Sequence, residues 1–583
     1  MNELTSTYAQ ASAHLLSLRA DAAHWQGRLS SSALSTATAI VALHGVDADQ
    51  HRARIEAGAR WLVRHQNADG GWGDTTLSKS NLSTTLLCWS ALRLCGKTLP
   101  SADGLPQALA AAEAWIAARV GSLEPAAIQR AVIARYGRDK TFSVPILMLC
   151  AIGGTLGRDA WRRVLPLPFE LAALPRAWFG AIGLPVVSYA LPALIAIGYA
   201  RFHHAPPAWW HPLRWLRALL WGRISPMLRA LQPSSGGYLE ATPLTSFVTM
   251  ALASAGEKEH PCIAGAVEFL ARSVREDGSW PIDTNLATWG TTLSVKALGE
   301  ITPKTTRWLL GQQYQDTHPF TNAAPGGWAW TDLPGGVPDA DDTSGALIAL
   351  RQAAEPPTQA AQAGITWLLD LQNRDGGIPT FCRGWGALPF DRSTPEITAH
   401  ALLAWWLWDA EALRPRISQA TARALDYLRR VQRADGSWTP LWFGNEHTPE
   451  EENPVYGTAM VVGYLTGEAR LRAQSEPLVR RGADYLLRAQ RPDGGFGGDA
   501  TSPASVEETA VAAYALLALE DEKARAAALR AVDWLLAATE GGTRFPTAPI
   551  GLYFARLWYH EQLYPVVWTV QALRRALSQT ETS

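Results

Sequence analysis

Charge is scarce in this chain. Only 18% of its 583 residues are charged, and the formal net charge is −1. A nucleic-acid partner calls for a basic surface, so that class is set aside. Cysteine is scarcer still. The five are Cys88, Cys95, Cys150, Cys262 and Cys382, with no C-x-x-C pair and no zinc-like spacing. That pattern excludes a disulfide framework and a structural zinc, and the five read as reduced, mostly buried thiols of a cytoplasmic protein. The opening stretch, MNELTSTYAQASAHLLSLRADAAHW, lacks a basic region followed by an apolar run, so no secretory leader is expected. Two things are abundant: apolar residues, at 47%, and tryptophan, with 26 copies. Trp is a large ring with an electron-rich face, so the excess suits structural stacking, a cavity that handles cations, or both.

One pattern recurs along the chain. It reads ARWLVRHQNADGGW (59–72), ITWLLDLQNRDGGI (365–378), LDYLRRVQRADGSW (425–438) and ADYLLRAQRPDGGF (483–496). Looser copies centre on Trp115, Phe269, Trp308 and Trp534. From Trp308 the aromatic returns at Trp367, Tyr427, Tyr485 and Trp534, a period of roughly 50–60 residues that marks an array of helical hairpins. Apolar residues at helical spacing give each unit a packed face. The Asp-Gly pair ends the helix, because Gly accepts the left-handed conformation. The Gln can bond exposed backbone groups there, and the final Trp can stack on it. Most Gln and Trp positions are therefore expected to be braces between repeats.

A second helix follows each turn, in stretches such as SNLSTTLLCWSAL, LATWGTTLSVKAL, TPEITAHALLAW, NPVYGTAMVVGYL and SVEETAVAAYALLAL. These are narrow and poor in charge, as an inner ring should be; the bulkier Arg-rich helices should lie outside. The expected fold is all-α, with two α/α barrel domains: an α6/α6 barrel plus a second α/α barrel. Residues 1–20 are expected to pack on the C-terminal barrel, residues 21–285 to form the second barrel, and residues 286–583 to form the α6/α6 barrel.

Two apolar segments break the rhythm. Residues 178–200, WFGAIGLPVVSYALPALIAIGYA, carry no charge and match a membrane span in length, but Pro185, Pro192 and several Gly favour a buried or interfacial segment. Next comes PPAWWHPLRWLRALLWGR (206–223). Leu213, Leu216 and Leu220 share a face there, with Trp209, Trp210, Trp215, Trp221 and basic Arg214, Arg217 and Arg223 around it. That is the pattern of a helix lying in a headgroup layer, so segment 178–223 is expected to meet a membrane surface.

The densest chemistry is PGGVPDADDTSGALIAL (334–350), where Asp339, Asp341 and Asp342 crowd the start of an inner helix. A carboxylate caps a helix N-terminus well, but capping needs one. A hard metal would recruit further carboxylates, and no second Asp-rich segment of the D-D-x-x-D kind is present. The remaining option is that two Asp force the third to keep its proton. The result is a strong, dry Brønsted acid, of use only toward a weak base such as an alkene or epoxide.

DADDT resembles the D-x-D-D-T motif of class II terpene cyclases, and the Gln…Gly…Trp repeats resemble the QW motifs of squalene–hopene and oxidosqualene cyclases. Together they cover most of the chain, most fully residues 265–583. The resemblance implies Asp341 as the proton donor, Asp339 and Asp342 as its neighbours, and His400, in TPEITAHAL, as the hydrogen-bond partner of the acid. The family usually has Asp four residues before that His, whereas this chain has Glu396. It also implies a cavity lined by Trp289, Trp328, Trp330, Phe381, Trp442, Tyr456, Phe545, Tyr553 and Tyr189. Thr242, followed by Pro243, stands where the family often has Gln-Pro at the cation-quenching end. The family pattern carries another Phe four residues after Phe545, and this chain has Pro549. The implied substrate is a lipophilic linear isoprenoid, most naturally squalene, with no metal and no redox cofactor. A prenyl diphosphate or a meroterpenoid is the alternative, with Arg383, Arg392 and Arg556 as candidate partners of a diphosphate. The implied location is the cytoplasmic side of the cell membrane, peripheral or monotopic, and family members often pair, which makes a homodimer an option.

Overall fold

The computed structural model describes residues 3–96, 104–137, 139–182, 190–408, 410–552 and 556–581. Tyr189 and Tyr553 lie outside the described residues.

The inner helices are those in which neither periodicity nor charge marks a wet face. In Ala33–Asp47 every residue from Ala33 to Leu43 is buried. A helix that is apolar or small all round belongs inside. The outer helices are amphipathic, as in Arg414–Val431, where the buried residues fall on one face. Alternation of the two kinds builds two double rings.

The C-terminal barrel closes with inner helices Ala287–Leu298, Ala340–Leu350, Pro395–Trp408, Pro454–Leu465, Val506–Leu516 and Leu563–Glu581, the last packing back on the first. Its outer ring is Pro303–Gly311, Thr358–Leu371, Arg414–Val431, Ala469–Ala489, Glu522–Ala538 and, from the far end of the chain, Glu3–Arg19 against Leu563–Glu581. The second barrel has inner helices Ala33–Asp47, Leu82–Cys95, Lys140–Ile152, Leu191–His204 and Thr242–Ser254, again a closed ring. The apolar stretch 191–200 therefore belongs to the second barrel's inner wall.

Short strands pair within each barrel, and a buried side chain links the two. Ser31–Ser32 pairs with Trp280–Pro281, and a three-stranded sheet holds Phe443–Gly444, Ile550–Leu552 and Leu557–Tyr559. Buried Asp74 of the second barrel accepts the Trp558 backbone N–H at 2.8 Å and is itself held by Asn81 and Thr84.

The repeats are stapled by a double hydrogen bond. Each Gln side-chain amide donates to the Gly carbonyl of its own turn and to a carbonyl of the next outer helix. Gln372 reaches Gly376 and Ala420 at 2.8 and 2.9 Å, Gln432 reaches Gly436 and Leu478 at 2.9 and 3.1 Å, and Gln490 reaches Gly494 and Ala527 at 2.9 and 2.7 Å. The turn Gly is required twice over. Gly436 has φ +93°, and a Cβ there would stand 2.3 Å from the Arg481 carbonyl. The final Trp braces by a hydrogen bond, where stacking on the Gln was expected. The indole N–H of Trp72, Trp280 and Trp438 donates to the carbonyl of Leu62, Leu270 and Leu428 in the helix just ended. Its backbone N–H donates to an inner-helix Thr hydroxyl, as in Trp438 to Thr458 at 3.0 Å.

Gln432→Ala leaves two carbonyls without their donor and should lower stability by about 2 kcal/mol. Gln474→Ala, at an exposed Gln that bonds only the Arg470 carbonyl, is the control expected to change nothing. Thermal unfolding of the two variants side by side checks this.

Candidate active site

Helix Ala340–Leu350 starts at Asp339, whose extended backbone and side chain form the cap. Its Oδ1 accepts the backbone N–H groups of Asp341 and Asp342, both at 2.9 Å. The cap is pinned from two sides: the Asp339 N–H donates to the Trp328 carbonyl and the Ala340 N–H to the Thr380 carbonyl. Asp339 and Asp342 are buried, whereas the Asp341 side chain keeps 22% of its exposure. One turn of helix thus separates a cap, a buried carboxyl and an open one.

The two buried carboxyls hold their protons more tightly than usual. Burial pushes the Asp339 carboxyl up to about 7, against the pull of its N–H donors. Burial, with the Asp339 charge beside it, holds Asp342 well above the usual carboxylate range. Asp342 Oδ1 is buried without a hydrogen-bond partner, which suits a neutral group.

His400 comes from the next inner helix, Pro395–Trp408, with Nδ1 2.6 Å from Asp341 Oδ1. Its ring is fixed by stacking on Tyr464 (centroids 4.2 Å, 11°) and by an edge contact with Trp289 (6.4 Å, 72°). Burial pushes the imidazole below its usual range, opposed by the bond to Asp341. A neutral ring that donates Nδ1–H to Oδ1 leaves the other Asp341 oxygen free. Glu396 does not reach His400. Its Oε1 accepts the Leu441 N–H at 3.0 Å, its Oε2 is unpaired, and burial pushes it up to about 7.

An aromatic row leads away from the acid. Trp330 meets Phe381 edge to face at 6.2 Å, and Phe381 meets Trp442 at 5.7 Å. All three keep partial exposure. The Trp442 indole N–H donates to Thr380 Oγ1 at 2.7 Å, so the residue that holds the acid helix also holds the far end of the row.

The other expected lining residues are buried or packed against neighbouring elements. Trp328 is fully buried; its indole bonds the Leu309 carbonyl and its backbone N–H the Thr343 hydroxyl, so it is a repeat brace. Tyr456 is 1% exposed and packs on Phe443 and Trp568. Phe545 stacks on His14 of the N-terminal helix. Trp289 is buried and meets His400. Thr242 is buried at the start of a second-barrel inner helix, with its hydroxyl unpaired. Arg383 and Arg392 are exposed, and Arg556 pairs with Glu451 at 3.2 Å. Sequence reasoning passed over Thr380, Tyr464 and Lys296. The last two carried a signal: a Tyr eight residues after Tyr456, and a lone Lys in a helix otherwise free of charge.

The squalene-hopene cyclase C-terminal domain matches residues 282–577, and the N-terminal domain matches residues 8–191. Enfumafungin synthase from Hormonema carpetanum is 25% identical over 549 residues, covering 81% of this chain and 40% of that protein, so the chain spans less than half of it. A probable squalene–hopene cyclase from Sinorhizobium fredii is also 25% identical, with 95% of this chain and 94% of that protein covered. Ent-copalyl diphosphate synthase from Streptomyces platensis has the same fold, with a TM-score of 0.59 over 98% of this chain and 99% of that one at 19% identity. The two matched domains span both barrels and the acid helix, and the chain belongs to the squalene-hopene cyclase family of terpene cyclases.

Proposed function

We propose that this chain cyclises squalene, or a linear isoprenoid of that kind, by transferring a proton from Asp341 to a terminal double bond. One observation carries the reading. Of three adjacent carboxyls only Asp341 is open, it is bonded to a buried His400 at 2.6 Å, and Thr380 ties the start of its helix to an aromatic row.

Asp341 gives its hydrogen to the terminal alkene carbon and becomes a carboxylate. The His400 N–H and the N-terminus of helix Ala340–Leu350 stabilise that new charge. The tertiary cation is attacked by the next double bond, and each ring closure passes the charge on. Trp330, Phe381 and Trp442 offer ring faces to the migrating cation. These groups do not reorganise as charge develops, and the exclusion of water prevents early capture. Loss of a proton, or addition of water, ends the cascade, and solvent returns a proton to Asp341. The unpaired Thr242 hydroxyl is the group we assign to the quenching end.

A bilayer-borne substrate calls for a docking face. Trp178, Trp209, Trp210, Trp215 and Leu219 are 63–79% exposed, around helix Pro212–Leu231 and its approach. We place the membrane surface against this face, on the cytoplasmic side. No described helix is long and apolar enough to cross a membrane.

Asp341→Asn should reduce cyclisation by about 10³-fold or more while thermal unfolding stays near native. The assay incubates detergent-solubilised protein with squalene and, separately, with geranylgeranyl diphosphate, and analyses products by gas chromatography and mass spectrometry. Cyclic product from squalene supports the reading; product from the diphosphate alone overturns the substrate and keeps the acid. Replacing Trp209, Trp210 and Trp215 together by Ser should weaken partition onto phospholipid vesicles by about tenfold or more in a flotation assay. Unchanged flotation would overturn the docking face.

A further inference from the structure

A buried lysine stands at the end of the C-terminal barrel where its inner helices finish. Lys296 lies in the last turn of inner helix Ala287–Leu298, two turns deeper than Trp289. Its Nζ sits 4.3 Å from the ring centre of Tyr464 and 5.7 Å from that of Tyr514. No ion pair joins it to a carboxylate among the described residues. Tyr464 is the ring on which His400 stacks at 4.2 Å. End to end, the two contacts put the ammonium within about 8.5 Å of the imidazole, across a packed wall.

An ammonium survives burial here for two reasons. Ring faces attract it. Lys296, Tyr464 and Tyr514 also belong to the last turns of their inner helices, where the backbone dipoles are negative. Burial still lowers its proton affinity, as do the neighbouring Arg575 and Arg574, while Tyr514 and Asp341 favour its charge.

Resting on the proton-donor reading of Asp341, we propose that Lys296 is a positioning residue that keeps His400 neutral, so that the proton of the Asp341–His400 pair stays on the acid. The pair holds that proton in one of two ways, as carboxylic acid with imidazole or as carboxylate with imidazolium. Only the first has a hydrogen to give. A positive charge behind the imidazole disfavours the second. The other groups facing His400 are Asp341, which favours imidazolium, and the rings of Tyr464 and Trp289; Glu396, on its own helix, turns to Leu441. Lys296 is thus the cation that opposes Asp341.

The test uses the full chain and Lys296→Met, which keeps length and loses charge, with Lys296→Arg as the charge-restoring variant. Nitrogen-15 spectra of His400 read the ring directly, without turnover. Native protein and Lys296→Arg should show a neutral ring at pH 7, and Lys296→Met should move its titration up by about one pH unit. Cyclisation by Lys296→Met should fall about tenfold at pH 7, with the alkaline limb of its pH profile displaced upward by a similar amount, and Lys296→Arg should recover both. An unmoved His400 titration in folded Lys296→Met overturns the proposal whatever the activity. A retained cyclase activity in Asp341→Asn overturns the underlying reading instead.

Discussion

The site depends on one hydrogen bond, from the His400 imidazole to Asp341, made across two neighbouring inner helices. Its worth comes from asymmetry among three carboxyls that sequence places side by side. Asp339 spends its charge on two backbone N–H groups, and Asp342 is buried with an unpaired oxygen. Asp341 alone combines a fixed partner with an open face. A carboxylic acid that must protonate a hydrocarbon needs low dielectric, a stabilised conjugate base and no competing water. The burial of Asp339, Asp342 and His400 around it supplies the first, and the helix start and His400 the second.

The repeat explains how such a site is assembled. In each hairpin the backbone N–H of the turn's final residue bonds an inner-helix Thr: Trp328 to Thr343, Ile378 to Thr398, Trp438 to Thr458 and Phe496 to Thr509. The residue two before that Thr stands at the barrel mouth. Those positions are Asp341, Glu396, Tyr456 and Glu507. One structural device, repeated for stability, therefore presents a ring of side chains whose chemistry varies freely. The proposed acid, Asp341, is one of these positions filled by Asp. Glu507, pushed up to about 8 by burial, is another, filled by a longer carboxyl that bonds the Ala548 N–H.

Much of this was legible in the sequence, and the exceptions have physical causes. The Gln and Asp-Gly signals are local, so the hairpins and the double ring follow from them. Asp341 and His400 belong to motifs with fixed spacing, so their pairing could be anticipated. Trp328 was misread as a liner because its repeat carries an insertion: Gln313 bonds the Gly326 carbonyl thirteen residues on, where the regular units span four. The brace Trp is thereby separated from its Gln, so the regular repeat pattern does not mark it. Tyr456 and Phe545 follow a different rule. Which side of an aromatic faces a void depends on packing between hairpins, and sequence spacing does not carry that information. The Lys296–Tyr464 contact joins two inner helices across the barrel's closed end, a relation that only the closed ring reveals.

The central proposal is that Asp341 is the proton donor, which requires it to start each cycle as a carboxylic acid. Infrared difference spectra between the native chain and Asp341→Asn, at neutral pH and with carbon-13 in aspartate, test it directly. The account predicts that the variant loses a protonated-carboxyl C=O band that shifts with the isotope. Loss of carboxylate bands alone would contradict it.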